Sequence, residues 1–410
     1  MKNDNHTYKQ TPIGLIPSDW EVKKLGDLGD IIGGLTYNPD DINDMEGTLV
    51  LRSSNIKDGQ LVFEDNVFVK VNSEEFNPVK ENDILICVRN GSKSLIGKNA
   101  LITKQAEGMA FGAFMAVFRS KFNKFLFQIF DTDIYYKEIH QNLGATINSI
   151  NGGDLKLFKI PIPPLPEQQK IATILSTWDA AIANCKAIIE NLKNRNKGLA
   201  QQLLSGKIRV KGFEKTKWKL TPLNECLTFT PREVPKPTGN YLALGLRSHG
   251  KGIFHKHDID PEDVAMEFLY EVKENDLIVN ITFAWEQALA IVSKKDEGGL
   301  VSHRFPTYTF KTETAIPEFF RHFIVQKYFK FLMELISPGG AGRNRVMSKT
   351  DFLKLDIKLP EAKEQKAIAN ILDSASGELS QYQQKLEQLQ IQKKGLMQQL
   401  LTGKTRVKIN

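Results

Sequence analysis

The chain has 410 residues, 41% of them hydrophobic and 25% charged, with a net charge of +7, enough for two or three ordinary soluble domains. No apolar run approaches the roughly 18 residues of a membrane span, and the opening MKNDNHTYKQ lacks the apolar core of a signal peptide, so a cytoplasmic location without a membrane partner is expected. Three scattered cysteines, Cys87, Cys185 and Cys226, argue against a disulfide framework or a zinc site, and the mild positive charge permits nucleic acid without demanding it.

Residues 1–162 read as a first globular domain. Short apolar runs such as Asp83 to Val88 are punctuated by Gly, Asn and Pro, which is strand-and-turn chemistry. The aromatic-rich stretch from Phe122 to Ile139 suggests helices covering those strands. LRSSN, Leu51 to Asn55, and VRNGSK, Val88 to Lys93, set hydrogen-bonding side chains beside turn residues. Arg52, Ser53, Asn55, Arg89, Asn90, Ser92 and Lys93 are therefore candidate contacts to bases and phosphates.

Residues 163–206 read as one long helix. The prolines from Pro161 to Pro166 bar a helix interior, and Glu167 then suits the positive end of the dipole. Ile171, Leu175, Trp178, Ile182, Cys185, Ile189, Leu192, Asn196, Leu199 and Leu203 recur at alternating steps of four and three. That 3.5-residue period is a coiled-coil seam. Gly206 follows as a C-terminal stop.

Residues 207–359 read as a second globular domain. Asp276 to Val279 is a strand candidate, and Glu318 to Ile336 is again aromatic-rich. Its candidate contacts are Arg247, Ser248, His249, Trp285, His303 and Arg304, with Arg343 and Arg345 in a loop behind Pro338-Gly339-Gly340. His255 and His257 read as a surface loop rather than a metal site, because no third ligand stands beside them.

Residues 360–410 repeat the long helix, with a seam of Ile368, Leu372, Ala375, Leu379, Tyr382, Leu386, Leu389, Lys393, Leu396 and Leu400. Both seams break at the same heptad, Asn196 and Lys393, as a register-setting polar residue would. GLAQQLLSGKIRVK (198–211) and GLMQQLLTGKTRVK (395–408) share eleven of fourteen positions at an offset of 197. The same offset aligns Glu167-Gln168 with Glu364-Gln365, while KEND recurs at 80–83 and 273–276. The chain is a tandem duplication of a whole unit, and each seam's simplest partner is the other copy.

Catalytic sets do not emerge. Gly403-Lys404-Thr405 ends like a phosphate loop, but the glycine required upstream is Gln398. Asp263 with Glu271-Val272-Lys273 is a weak nuclease pattern whose counterpart is Pro78-Val79-Lys80.

PPLPEQQKIATIL (163–175), followed by a long helix and LLSGK (203–207), resembles the specificity subunit of type I restriction–modification systems. NDIL (82–85), RNGS (89–92) and Ile96-Gly97 resemble that family's target-recognition domains. The resemblance implies an α+β fold: two globular target-recognition domains joined by two long antiparallel coiled-coil helices with pseudo-two-fold symmetry. It implies a non-catalytic subunit that reads a bipartite double-stranded DNA target. Two methyltransferase subunits and endonuclease/translocase subunits would dock on it and carry S-adenosylmethionine, magnesium and ATP, with no cofactor or metal on this chain. The second arm, LPEAKEQ (359–365), departs by losing most of the prolines. The alternative is a coiled-coil protein–protein adaptor without DNA specificity.

Overall fold

The computed structural model describes residues 7–43, 46–72, 74–143, 148–339 and 345–409. The chain divides into two compact units: residues 1–186 with 385–410, and residues 187–384. The four-part reading of the sequence follows the chain; the compact units cut across both long helices, so each unit holds part of each.

In the first unit, strands Ile84–Cys87 and Met115–Arg119 form the middle of a four-stranded antiparallel sheet flanked by Asn99–Leu101 and Asp30–Gly33. Ile84 to Cys87 are all buried, which explains why they read as a continuous apolar run. A second small sheet is built on Thr48–Leu51. Helices Asn123–Ile129 and Asp133–Asn142 pack Phe125 and Tyr135 into the main core, with Phe130 from the link between them, as the aromatic stretch predicted.

The second unit repeats the plan with different detail. Leu277–Val279 and Thr307–Phe310 lie in the middle of a four-stranded sheet, beside a five-stranded sheet that includes Tyr241–Leu246 and Ile253–Ile259. Helices Pro317–Phe323 and Lys327–Leu335 carry Phe319, Phe320, Phe323 and Phe329 into the core.

The repeated KEND forms the same turn in both units. Asn82 and Asn275 adopt left-handed backbone, with φ of +66° and +69°, which asparagine tolerates better than most residues. The Asp83 carboxylate accepts from the Lys80 backbone N–H at 2.8 Å, and Asp276 accepts from Lys273 at 2.8 Å. Both carboxylates are buried and each takes an arginine, Arg119 at 2.7 Å and Arg232 at 3.1 Å. The arginines come from different places in the chain, so the two units hold the same turn with different partners.

The long helices span Leu165–Leu204 and Ala362–Leu400. Every seam position is buried or half-buried, whereas Ile188, Ile371 and Ile391, apolar but off the seam, are exposed. Within each unit the two helices run antiparallel. The first unit sets Ile171 and Leu175 in one core with Met397, Leu400 and Leu401. The second sets Leu203 and Leu204 with Ile368 and Leu372. The polar breaks are satisfied across the pair: Lys393 Nζ reaches Asp179 at 2.7 Å, and Asn196 Nδ2 donates to the Ala375 carbonyl at 2.8 Å.

Each unit is closed by one end of each helix. In the first, buried Glu167 accepts from Trp20 Nε1 at 3.0 Å and from Arg406 Nε and Nη2, both at 2.7 Å. In the second, buried Glu364 accepts from Trp218 Nε1 at 3.2 Å and from Arg209 Nε and Nη2 at 2.8 and 2.7 Å. Gly206 and Gly403 end the helices at φ of +70° and +71°, and any Cβ there would press on Trp218 or on Pro17 and Trp20. The repeated G-K-x-R-V-K sentence is therefore a cap plus an arginine latch.

Candidate nucleic-acid interface

In the first unit the candidates gather where strand Ile84–Cys87 ends. The Val88 and Arg89 backbone N–H groups donate to the Phe114 carbonyl at 3.0 and 3.1 Å, and Asn90 N–H to Asn148 O at 3.2 Å. Asn90 Nδ2 donates to Ser53 Oγ at 3.1 Å, and Asn90 Oδ1 accepts from the Ser92 backbone at 3.0 Å. Lys98 Nζ donates to the Ser53 carbonyl at 3.2 Å. Arg89, Ser92 and Lys93 are exposed on this braced surface. The Arg89 guanidinium lies 5.7 Å from the centre of the Phe114 ring, and that ring is 57% exposed.

Two candidates of the LRSSN segment serve the fold. Asn55 is fully buried. Its Nδ2 donates to the Val62 and Asp65 carbonyls and to Asn66 Oδ1, and its Oδ1 accepts from the Arg52 backbone. Its expected role as a DNA contact is corrected to that of a loop staple: a side chain so enclosed has no edge left for a base. Arg52 is half-buried and paired with Asp65 at 3.0 Å, so its charge is largely answered within the unit.

The second unit builds a parallel arrangement. Asn280 Oδ1 accepts from the Thr282 backbone at 3.0 Å, the same kind of local bond as Asn90 makes to Ser92, three positions earlier in the repeat. The Ile281 N–H donates to the Arg304 carbonyl at 3.0 Å, and Met347 N–H to Ile281 O at 2.8 Å. Arg304 Nη1 donates to Thr282 Oγ1 at 3.3 Å. Ser248 Oγ donates to Glu286 Oε2 at 2.6 Å and the His249 N–H to the Glu286 carbonyl at 2.6 Å. Arg345 lies 5.1 Å from the Trp285 ring centre, and Arg247 lies 5.2 Å from that of Phe254. Arg247, His249, His303 and Arg304 are exposed, and Trp285 and Arg345 are half-buried. His303 borders a separate cavity of about 210 Å³ with Lys349. Arg343 lies outside the described residues.

His255 and His257 stand on strand Ile253–Ile259 rather than in a loop. His255 Nε2 meets Asp296 Oδ1 at 2.7 Å. Burial pushes the Asp296 carboxyl up, and hydrogen bonds from Ser293 and His255 push it further down, so it sits below the usual aspartate range. Among the described residues no group of three His, Cys, Asp or Glu side chains could hold a metal ion, and no helix is long and apolar enough to cross a membrane.

Reading the sequence missed Phe114, Asn148, Asn280 and Glu286. One signal could have found part of this. Asn90-Gly91-Ser92 and Asn280-Ile281-Thr282 share an Asn-x-Ser/Thr spacing, three residues and one residue past the ends of their strands, the pattern of a side chain capping the backbone two residues on.

The chemistry of both surfaces is planar donors, hydroxyls and amides held by backbone bracing, beside an exposed aromatic ring in the first unit and half-buried rings in the second. That set suits base edges and phosphates. A family profile described as "Type I restriction modification DNA specificity domain" matches residues 17–194 and 262–390. The putative type I restriction enzyme MjaX specificity subunit of Methanocaldococcus jannaschii is 28% identical over 98% of this chain and 97% of its own length. The EcoKI specificity subunit of Escherichia coli is 33% identical over 49% of this chain and 45% of its own. In fold, the type I S subunit from M. genitalium superposes with a TM-score of 0.58 at 14% identity, covering 98% of this chain and 97% of that one.

Proposed function

The chain belongs to the type I restriction–modification DNA specificity family, and we propose how it performs that role: each unit reads one half of a split double-stranded DNA target through its braced loop set. The observation that carries this reading is the pair of loop sets. Both are fixed at the end of an equivalent strand by equivalent backbone braces, the Val88 and Ile281 N–H groups donating to the Phe114 and Arg304 carbonyls and the Ile150 and Met347 N–H groups to the Val88 and Ile281 carbonyls, yet they present different side chains. Constant bracing with variable presentation is what two readers of unlike half-sites require. Arg89, Ser92 and Lys93 would serve one half, and Arg247, His249, Arg304 and Arg345 the other.

The chain itself would catalyse nothing. Adenine methyltransferase and endonuclease/translocase subunits would assemble on it and bring S-adenosylmethionine, magnesium and ATP. Two methyltransferase subunits per chain, in the cytoplasm, is the expected assembly.

Mapping modified adenines in the host genome tests the reading. Replacing residues 1–160 with another first domain should change one half of the methylated motif and leave the other. A change in both halves, or methylation indifferent to this gene, would refute it.

A further inference from the structure

The internal repeat exposes a vacancy in one unit that the other unit fills with its own chain. Gln168 and Gln365 are repeat counterparts, 197 residues apart. Each donates from Nε2 to the equivalent proline carbonyl, Pro163 at 2.7 Å and Pro360 at 2.9 Å. Gln365 does more. Its Nε2 also donates to the Thr314 carbonyl at 2.7 Å, and its Oε1 accepts from the Ile316 N–H at 3.1 Å. It clamps the backbone of an extended segment at two points, with fully buried Ala315 between them.

Gln168 lacks that second half. It is 4% exposed, and its Oε1 has no hydrogen-bond partner among the described residues. The cause is loop length. Strand Thr307–Phe310 reaches helix Pro317–Phe323 through six residues, 311–316, whereas Met115–Arg119 reaches Asn123–Ile129 through three, 120–122. The shorter connection cannot lie across Gln168. A groove of about 980 Å³ is found there instead, lined by Gln168, Gln128, Leu165, Thr173, Lys121 and Lys124. Gln128 also has a buried, unpartnered Oε1, and Leu165 is 50% exposed. Buried amide oxygens without donors are uncommon and costly.

We infer that this groove receives an extended backbone segment of a partner polypeptide, seated as Thr314–Ile316 is seated on Gln365. The segment presents an N–H to Gln168 and a small side chain to the floor. Lys121 and Lys124, both exposed, select an acidic flank. In the assembly proposed above, on which this inference rests, that partner is the methyltransferase subunit. The contact exists in the first unit only, so two identical methyltransferase subunits are held by non-equivalent contacts.

Calorimetric titration of the full chain with the methyltransferase subunit of the same host tests this. Thr173→Trp fills the groove from an exposed position; Lys121→Glu with Lys124→Glu reverses its charge without touching the core. Both should weaken binding by about tenfold or more, the loss expected when an anchoring pocket is blocked. Asn370→Trp, the repeat counterpart of Thr173, should stay within about twofold, because the second clamp is already filled. Wild-type affinity in both groove variants, or equal weakening in all three, overturns the groove while leaving the partner reading. A wild-type chain that does not bind the subunit overturns both.

Discussion

Replacing Arg406 by alanine should unlatch the first unit while leaving the second intact. The Glu167 carboxylate is 1% exposed and receives two Arg406 hydrogen bonds at 2.7 Å. In Arg406→Ala, among the described residues, only Trp20 Nε1, at 3.0 Å, still donates to it. Removing one partner of a buried ion pair leaves an uncompensated charge and costs about 3–5 kcal/mol. The accompanying loss of Asp19 adds little, because Asp19 is half exposed and such pairs are worth about 0–1 kcal/mol. Since 1.4 kcal/mol is about a factor of ten, hydrogen-exchange protection should fall by roughly two to three and a half decades. The fall should be seen in peptides around Trp20, Ile171 and Leu400, while those around Trp218 and Ile368 keep their protection. Pairing Arg406→Met with Glu167→Leu should recover most of the loss, because the buried charge goes with its partner. A loss below about 1 kcal/mol, or an equal loss in both units, would show that the latch does not close the unit.

Three further outcomes follow from particular residues. Arg304→Ala should degrade methylation at one half of the target, whereas Arg89→Ala should affect the other half; a single-molecule methylome of each variant decides it, and identical effects would break the assignment. Asp296 sits below the usual aspartate range, so the stability it contributes is present above the ordinary value of about 3.9 and is lost as pH falls through the folded value. Asp296→Asn should therefore flatten the acid-side decline of the denaturant midpoint of the second unit below about pH 4, and an unchanged slope would refute the linkage. Burial pushes the Cys226 thiol up to about 12, so a thiol reagent at pH 8 should leave Cys226 unmodified in the native chain and label it in urea.

The helices were legible because burial on one face imposes a period that sequence records directly. All twenty seam positions are buried or half-buried, and the polar breaks at Asn196 and Lys393 proved to be cross-helix contacts. The duplication was equally plain, though its reason, a glycine cap followed by an arginine latch, needed the positions of Glu167 and Glu364. The interface was less legible because turns and base recognition draw on the same residue types. Asn55 and Asn90 sit in similar local strings, yet one is sealed inside its loop and the other braces the surface. Phe114 carried no signal at all, since an aromatic residue in an apolar stretch reads as core. The strand holding His255 read as a loop because four of its seven residues, His255, Lys256, His257 and Asp258, are polar.

The latch also sets an order of events during synthesis. Residues 385–409 leave the ribosome about 200 residues after Lys186, roughly ten to forty seconds later at 5–20 residues per second. Until then the first unit lacks Met397, Leu400 and Leu401 from its core, and Glu167 has no arginine. The second unit, residues 187–384, needs nothing made after itself. The half of the protein made first is thus the half finished last, and a frameshift near residue 395 would cripple the opening domain while sparing its neighbour.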